Sequence, residues 1–458
     1  MVAHAQSIGG GKVGTGASLS FSPKLSIIVI MDDDNGTTSD ANYGSTDSDV
    51  SYNMPTIDLL ETDGIRFTSG IYVNPACAST RASMMYSQWS IQHGIYSALP
   101  GSSYVWGNDH TISKLAKDAG VETAVTGKYQ FIEDSSNNYW GPSEDGWMRW
   151  SVDSNVTPSD YSSWDRYYGT EEEYLVLGGS ANPNYEIMSN YIDDDSVDRM
   201  LGFYANRDRS KPFLGIINLH NIHTTVHDPR QPAPHNSTQC ASPSSSSLCY
   251  QYMHEKIDSL IATVLDNIDK TNTIVFYLSD NGSQKPNEKQ TINEAGIRVP
   301  LYVYGAGISG GPISTPVTIQ DLHITILDLL GVTSYGGAAT LRGYSFASLL
   351  GYTSGFTGRD WASRNGYLIV AFGASTTRAV YDLDTHPNYK LVVTRTTGVG
   401  ALYDISAYNP GNGTEPSDLC GGGGCVAAEL TVGQQTAYND LCTIYLAEES
   451  GATACTPL

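Results

Sequence analysis

Uninterrupted apolar runs alternate with helical patterns over most of the chain. Residues 24–31, KLSIIVIM, are rich in β-branched and aliphatic side chains, which is typical of a parallel strand buried on both faces. Comparable runs occupy residues 121–125, 212–219, 273–279 and 299–304. The sequence therefore predicts several buried strands.

Segments with a helical pattern of apolar residues lie between these runs. Residues 111–119, TISKLAKDA, place apolar side chains at helical spacing, and Gly120 follows as a helix-ending residue. Residues 250–269 show a second helical pattern. Strands that alternate with helices favour an α/β fold, in which helices cover both faces of a large, mostly parallel sheet.

The pattern changes after residue 355. Short strand-like runs at 389–394 and 401–405 are separated by turn residues, and a helical pattern follows near 427–446. This part of the sequence predicts a small antiparallel sheet with a helix. The chain is therefore divided into an N-terminal tail, a large α/β domain and a smaller C-terminal subdomain that contains four cysteines: residues 1–23, 24–355 and 356–458.

Acidic residues outnumber basic residues by 48 to 25, which gives a formal net charge of −23. Such a surface repels nucleic acid and anionic membranes, so neither is expected as a partner. No apolar run approaches the ~20 residues that span a bilayer. The charge leaves the substrate open, because an acidic surface also simply aids solubility.

Six of the seven cysteines are placed as disulfide partners would be. Cys240 and Cys249 flank a Ser/Pro-rich loop and form the expected first pair. The other four lie close to the C-terminus and allow three different pairings: Cys420, Cys425, Cys442 and Cys455. Disulfides indicate an oxidising compartment, so a secreted, extracellular or periplasmic protein is expected. Cys77 then has no predicted disulfide partner, and it is either an incidental residue or a reactive group.

Polar side chains cluster where four of the predicted strands end. The clusters are Asp33 with Asp34, Lys128, the histidines His220, His223 and His227, and Asp280 with Asn281. Ligand sites in open α/β sheets lie at the carboxyl ends of the strands. The oxygen atoms of the acidic and amide side chains suit a hard cation such as Ca²⁺ or Mg²⁺. The basic residues nearby suit an anionic substrate.

Residues 54–94 resemble the signature region of the sulfatase family, and residues 77–82, CASTRA, fall in register with its C-x-P-S-R-A motif. Four further segments are similar to family segments in the same order: KLSIIVIMDDDNG, TISKLAKDAGVETAVTGKYQ, FLGIINLHNIHTTVHDP, and IVFYLSDNG followed by EAGIRVP. The resemblance covers residues 24–415 and implies an alkaline phosphatase-like fold.

The resemblance also implies a chemistry. In the family, the motif cysteine is oxidised to formylglycine by a maturation enzyme, and the formylglycine hydrate supplies the attacking hydroxyl. This assigns Cys77 as the precursor of the nucleophile, beside a Ca²⁺ or Mg²⁺ ion held by Asp33, Asp34, Asp280 and Asn281. The other implied catalytic residues are Arg81, Lys128, His223 and Lys289, and the implied substrate-binding residues are Gln130 and His220.

Two residues depart from the family pattern. Ser79 replaces the proline of the motif that maturation enzymes read, so the oxidation of Cys77 becomes a point to test. Gln130 replaces a histidine that contacts the nucleophile. An amide donates a hydrogen bond but cannot exchange a proton near neutral pH. Lys285 competes with Lys289 for the role of sulfate ligand.

Three functions are consistent with these residues. The first is the hydrolysis of sulfate esters, on a sulfated small molecule or a sulfated glycan. The second is a phosphodiesterase or phosphonate monoester hydrolase, because sulfate and phosphate are both tetrahedral anions. The third is a catalytically weak pseudoenzyme that binds sulfated glycans. Cys77 favours the first function, and the retention of the metal ligands, Arg81 and Lys128 argues against the third.

An aromatic-rich segment, residues 132–170, is a candidate for substrate contacts. Its aromatic side chains include Trp140, Trp147, Trp150 and Trp164. Such rings either stack on sugars or form a core, and the sequence leaves both interpretations open.

Overall fold

The computed structural model describes most of the chain. The described residues are 24–45, 53–96, 110–130, 141–153, 164–177, 183–224, 226–230, 243–333, 340–356, 358–372, 377–422, 424–449 and 453–458. The predicted tail at residues 1–23, Trp140 and Cys240 lie outside them.

The described residues form sixteen strands. They are β1 Ser26–Asp32, β2 Ile65–Arg66, β3 Ile71–Tyr72, β4 Glu122–Gly127, β5 Arg149–Asp153, β6 Trp164–Thr170, β7 Asn184–Met188, β8 Phe213–Asn218, β9 Thr273–Ser279, β10 Arg298–Val299, β11 Leu301–Gly305, β12 Val317–Thr318, β13 Tyr367–Phe372, β14 Thr377–Asp382, β15 Tyr389–Thr394 and β16 Gly400–Asp404.

Nine of the strands form one large sheet, in the order β2-β11-β9-β1-β8-β4-β5-β6-β7. The five central strands, from β9 to β5, are parallel to one another. The two strands at each edge are antiparallel to their neighbours. The sheet therefore has the predicted parallel centre, with antiparallel strands added on both sides.

Eleven α-helices accompany the strands in the described residues. They are α1 Pro55–Asp63, α2 Cys77–Tyr86, α3 Ser90–His93, α4 Ile112–Asp118, α5 Gly141–Glu144, α6 Glu171–Leu177, α7 Ile192–Ala205, α8 Pro243–Asp266, α9 Glu294–Ile297, α10 Ile319–Leu329 and α11 Val432–Glu448.

Helices cover both faces of the large sheet. Along β1, Val29 and Met31 pack into a core that includes residues of α2, α4 and α10. Ile28 and Ile30, which point the other way, pack into a second core with residues of α1, α7 and α8. Successive side chains of a strand face opposite sides, so the continuous apolar run of β1 reflects burial on both faces. The predicted α/β class is confirmed.

A separate four-stranded antiparallel sheet, β13-β14-β15-β16, forms near the C-terminus. Helix α11 shares an apolar core with it. The sequence places the start of this helix too early, at residue 427. Thr431 caps α11, because its hydroxyl oxygen accepts a hydrogen bond from the backbone N–H of Gln434 over 3.3 Å. The preceding residues Ala427–Glu429 form a separate 3₁₀ turn.

The disulfides follow the predicted division of the cysteines. Cys420 pairs with Cys425, and Cys442 pairs with Cys455. Cys249 is disulfide-bonded, whereas Cys240, its expected partner, lies outside the described residues. Cys77 is the only free cysteine in the described part of the chain.

The described tryptophans of the aromatic segment lie in the core rather than on the surface: Trp147, Trp150 and Trp164. Trp147 and Trp150 are buried, and their ring N–H groups donate hydrogen bonds to Tyr129 and Ser143.

Among the described helices, none is long and apolar enough to cross a membrane.

Candidate active site

Four neighbouring parallel strands bring the predicted polar clusters together. Strands β9, β1, β8 and β4 are adjacent in the sheet, so their carboxyl ends meet at one edge. Just beyond these ends lie Asp33 and Asp34 after β1, Asp280 and Asn281 after β9, His220 and His223 after β8, and Lys128 after β4. One site therefore collects side chains that are far apart in sequence.

Three buried carboxylates form the centre of this site. Asp33, Asp34 and Asp280 are all 0% exposed. The Asn281 amide donates to Oδ1 of Asp34 over 2.7 Å, and the backbone N–H of Asp34 donates to Oδ1 of Asp280 over 3.2 Å. Ligand atoms of Asp33, Asp34 and His223 lie within 4.8 Å of one another, as do those of Asp33, Cys77 and Asp280.

The donor atoms fit a hard divalent cation. Oδ1 of Asp33 and Oδ1 of Asn281 are buried and accept no hydrogen bond from the described residues. A buried polar atom without a partner is costly, and a bound cation would satisfy both oxygens. The predicted ligands are linked pairwise: Asp33 is grouped with Asp34 and with Asp280, and Asn281 is hydrogen-bonded to Asp34.

Three cations neutralise the carboxylates, each from a different element. Arg81, on α2, contacts Oδ2 of Asp280 over 2.7 Å. Lys128 binds Oδ2 of Asp33, and Lys289 approaches Oδ1 of Asp34 to 2.6 Å. Burial alone would raise the pKa of Asp33, but Lys128 first, and Lys289 and Arg81 with it, outweigh burial and hold that pKa well below its usual range. Positive charge is therefore concentrated where an anion would bind.

Cys77 is the first residue of α2 and is buried against this cluster. The Gln130 side-chain amide donates a hydrogen bond to its sulfur over 3.2 Å. Burial raises the pKa of the Cys77 thiol above its ordinary value, which favours the protonated thiol. Arg81 follows one helical turn later and therefore points to the same side of the helix.

His223 lies at the mouth of the site, with 19% of its side chain exposed. Its Nδ1 lies 2.9 Å from the carbonyl oxygen of Thr224. A carbonyl only accepts, so Nδ1 carries a proton, and in the neutral ring Nε2 holds a lone pair. Nε2 is 3.8 Å from Oδ2 of Asp34. Burial lowers the pKa of His223, which favours this neutral form.

His220, which the sequence assigns to substrate binding, lies between two aspartates. Its ring is buried between Asp153, 3.2 Å from Nε2, and Asp193, 3.3 Å from Nδ1. Burial alone would lower the pKa of His220, but these carboxylates raise it to about 9. Both ring nitrogens of His220 therefore face carboxylates.

The site contains two further side chains that the sequence patterns do not predict, Asn218 and Gln284. Oδ1 of Asn218, the last residue of β8, accepts from Arg81 over 2.6 Å. A polar residue at the end of a buried strand is a sequence signal that could have identified Asn218 as part of the site. The Gln284 amide donates to Oδ2 of Asp34 over 2.5 Å, and this depends on a loop path that no sequence pattern reveals. The same loop carries two lysines with different partners. Lys289 binds Asp34, whereas Lys285 donates a hydrogen bond to the carbonyl oxygen of Thr38.

The sequence model of one family, Sulfatase, matches residues 25–332, which contain every predicted site residue. The chain belongs to the sulfatase family.

Curated sulfatases match most of the chain at low identity. They include an arylsulfatase of Hemicentrotus pulcherrimus, 23% identical over 68% of this chain and 59% of its own length, and an ulvan-active sulfatase of Formosa agariphila, 23% identical over 62% and 58%. The N-acetylgalactosamine-6-sulfatase of Mus musculus is 25% identical over 67% and 62%. The chain spans about three-fifths of the length of these relatives.

Solved structures show the same fold over nearly the whole chain. One was determined in complex with its substrate D-glucosamine-2-N,6-O-disulfate and has a TM-score of 0.66, 19% identity, and coverage of 93% of this chain and 99% of its own. A sulfatase from Pseudoalteromonas sp. has a TM-score of 0.66, 18% identity, and coverage of 94% and 92%. These likenesses show the sulfatase fold.

The residue that replaces the motif proline, Ser79, forms a side-chain hydrogen bond. Ser79, at the position of the motif proline, donates from its hydroxyl to the carbonyl oxygen of Ile95 over 2.8 Å. Both residues are buried. Ser79 therefore ties the first turn of α2 to the segment that follows α3, and a proline could not make this contact.

Proposed function

We propose that the chain hydrolyses sulfate esters, using residue 77 as the nucleophile after oxidation of Cys77 to formylglycine. The observation that carries the proposal is the position of Cys77, whose ligand atom lies within 4.8 Å of those of Asp33 and Asp280. A nucleophile must be adjacent to the group that activates it and to the charges that hold the substrate. Cys77 meets both conditions.

Two absent groups would supply the central chemistry. Formylglycine at position 77 would supply, as its hydrate, one hydroxyl that attacks sulfur and a second that later releases sulfate. A Ca²⁺ or Mg²⁺ ion held by Asp33, Asp34, Asp280 and Asn281 would polarise the sulfate as a Lewis acid. Both requirements fit the donors present, since the ligands are oxygen atoms and residue 77 adjoins them.

The cations of the chain bind the anion and stabilise the charge that develops on it. Lys128 and Lys289 already lie beside the carboxylates, at the position where sulfate oxygens would enter. Arg81 is held by Asp280 and Asn218, so its guanidinium has a fixed orientation next to residue 77. Fixed charges in a buried site stabilise a transition state without reorganisation.

Gln130 acts on the nucleophile, and His223 acts on the leaving group. Gln130 orients the side chain of residue 77 through its amide. His223 is the candidate to act on the leaving oxygen through Nε2, because its Nδ1 is committed to the Thr224 carbonyl and its ring lies at the mouth of the site. Nε2 holds a lone pair in the neutral ring, so His223 must first take up a proton there and then donates that proton to the leaving oxygen. The substrate would then extend outward past His223.

The substrate class and the location follow from the relatives and the cysteines. The relatives include enzymes named for ulvan and for N-acetylgalactosamine-6-sulfate, which supports a sulfated glycan or a sulfated small molecule as substrate. The disulfides support a secreted or periplasmic protein, with a maturation enzyme as a transient partner.

A substrate panel tests the proposal. Purified protein with Ca²⁺ is given an aryl sulfate, sulfated monosaccharides, an aryl phosphodiester and an aryl phosphonate. We expect release of sulfate that is lost in Cys77→Ala and after chelation. Faster cleavage of the phosphodiester or phosphonate would favour the alternative hydrolase. Binding of sulfated sugars without any turnover would favour the pseudoenzyme.

A further inference from the structure

The thiol form of the chain offers a second kind of metal site. Ligand atoms of Asp33, Cys77 and Asp280 all lie within 4.8 Å of one another, and all three side chains are buried. Tetrahedral Zn²⁺ sites are built from thiolate sulfur, imidazole nitrogen and carboxylate oxygen. We propose that the chain with unoxidised Cys77 binds Zn²⁺ or another thiophilic divalent ion through Cys77, Asp33 and Asp280.

The carboxylates keep oxygen atoms available for such an ion. Lys128 occupies Oδ2 of Asp33, whereas Oδ1 of Asp33 is buried and accepts no hydrogen bond from the described residues. Arg81 occupies Oδ2 of Asp280, and Oδ1 of Asp280 accepts the Asp34 backbone N–H over 3.2 Å. Each carboxylate can thus bind a metal through one oxygen while the other keeps its cation.

The position of Cys77 suits a thiolate ligand. Burial favours the protonated thiol while no metal is bound. Cys77 is, however, the first residue of the ten-residue helix α2, whose dipole favours negative charge, and a bound cation would stabilise the thiolate further. Gln130 donates to its sulfur and would hold the side chain in place. On binding, the Sγ–H bond breaks, the proton leaves to solvent and the Sγ–metal bond forms, so no oxidant or reductant is needed.

His223 is the candidate for a fourth ligand. Its ligand atom lies within 4.8 Å of those of Asp33 and Asp34, so Asp33 is shared between the two groups. Its Nδ1 donates to the Thr224 carbonyl and leaves the lone pair on Nε2. Histidines that bind metals usually donate from their other ring nitrogen in this way.

The chemical state of residue 77 therefore decides which metal the pocket prefers. With the thiol, sulfur is available and favours Zn²⁺ over Ca²⁺. With formylglycine, the sulfur is gone and only oxygen ligands remain, which favours Ca²⁺ or Mg²⁺. This inference concerns the unoxidised chain and does not depend on sulfate hydrolysis.

Cobalt titration tests the inference without any activity measurement. The full chain, shown by peptide mass to carry an unmodified Cys77, is titrated with Co²⁺ in the absence of oxygen. We expect one bound ion, a thiolate-to-cobalt charge-transfer band in the near ultraviolet, displacement of cobalt by Zn²⁺, and no displacement by excess Ca²⁺. Absence of the band, or displacement by Ca²⁺, would overturn the proposal.

Cys77→Ser is the matched control, because it keeps the size of the side chain and a hydrogen-bond acceptor for Gln130. It should abolish the band and weaken Zn²⁺ binding by at least about tenfold. An unchanged midpoint of thermal unfolding shows that the variant is folded. If folded Cys77→Ser binds Zn²⁺ as tightly as the parent chain, Cys77 is not a ligand and the inference fails.

Discussion

The side-chain amide of Gln130 donates a hydrogen bond to the sulfur of Cys77 over 3.2 Å. Gln130 has a positive φ of 65°. This bond places an amide, which donates at any pH near neutral, where the family pattern has a group that titrates. The hydrogen bond from Gln130 to residue 77 should therefore change little between about pH 5 and pH 8.

Substitutions at Gln130 test this role. Gln130→Ala should lower kcat by about three- to tenfold, the equivalent of one ordinary hydrogen bond. Gln130→His should keep activity and add an ionisation near pH 6.5 to the pH profile of kcat. If Gln130→Ala has the parent rate, the amide does not act on residue 77 during turnover.

Ser79→Pro tests whether the missing motif proline limits oxidation of Cys77. Ser79 is the third residue of α2, where the backbone N–H has no partner within the helix, so a proline is tolerated. The variant loses the hydrogen bond to Ile95 and should be less stable by about 1–2 kcal/mol. It should nevertheless carry a larger formylglycine fraction, measured by peptide mass.

Ser79→Ala is the control for this experiment. It loses the same hydrogen bond without restoring the motif, so it should match Ser79→Pro in stability and the parent chain in oxidation. Equal formylglycine fractions in all three proteins would mean that residue 79 does not limit maturation.

Asn281→Ala tests the cation site. It removes the buried Oδ1 that lacks a partner and the donor to Asp34. We expect Ca²⁺ affinity, measured by isothermal titration, to fall by about 10- to 100-fold. Asn293→Ala, on the same loop, removes an amide that bonds only to the Asn287 carbonyl among its described contacts, and should leave the affinity unchanged. Equal losses in both variants would point to general loop damage.

His220 should make stability depend on pH. Its folded-state pKa is raised to about 9, against 6.5 in its ordinary state. The stabilisation is therefore fully present below pH 6.5 and is lost as pH rises through 9. His220→Gln should cost more stability near pH 6 than near pH 9, by on the order of 2–3 kcal/mol, measured by urea unfolding.

His254→Gln provides a comparison of opposite sign. Burial lowers the pKa of His254 to about 3, so its contribution is present above pH 6.5 and is lost as pH falls. The two variants should therefore change with pH in opposite directions. The same direction in both would contradict the assignment of a charged His220.

The sequence predicted the strands of the sheet because burial on both faces leaves a continuous apolar signal. Strand β9, Thr273–Ser279, has the predicted bounds, and so has β15, Tyr389–Thr394. Helix α8 was predicted to start at residue 250 but begins at Pro243. Its serine-rich first turn carries no apolar periodicity, and proline is compatible with a helix start.

The convergence of the site was predictable, but the pairing within it was not. Parallel strands bring their carboxyl ends to one edge, which is enough to place Asp33 near Asp280. The partners of each charge depend on loop paths. Lys289 rather than Lys285 reaches Asp34, and His220 points between two aspartates, because backbone geometry after the strands decides where each side chain lies.

The role of residue 77 as nucleophile is tested most directly by comparing oxidation of Cys77 with turnover. Preparations with different formylglycine fractions, measured by the mass of the peptide that contains residue 77, are assayed on one aryl sulfate with Ca²⁺ present. We expect the initial rate to rise in proportion to the formylglycine fraction and to extrapolate to zero for the pure thiol. Full turnover by protein that is entirely thiol at residue 77, or no turnover of any sulfate ester after verified conversion, would contradict this role.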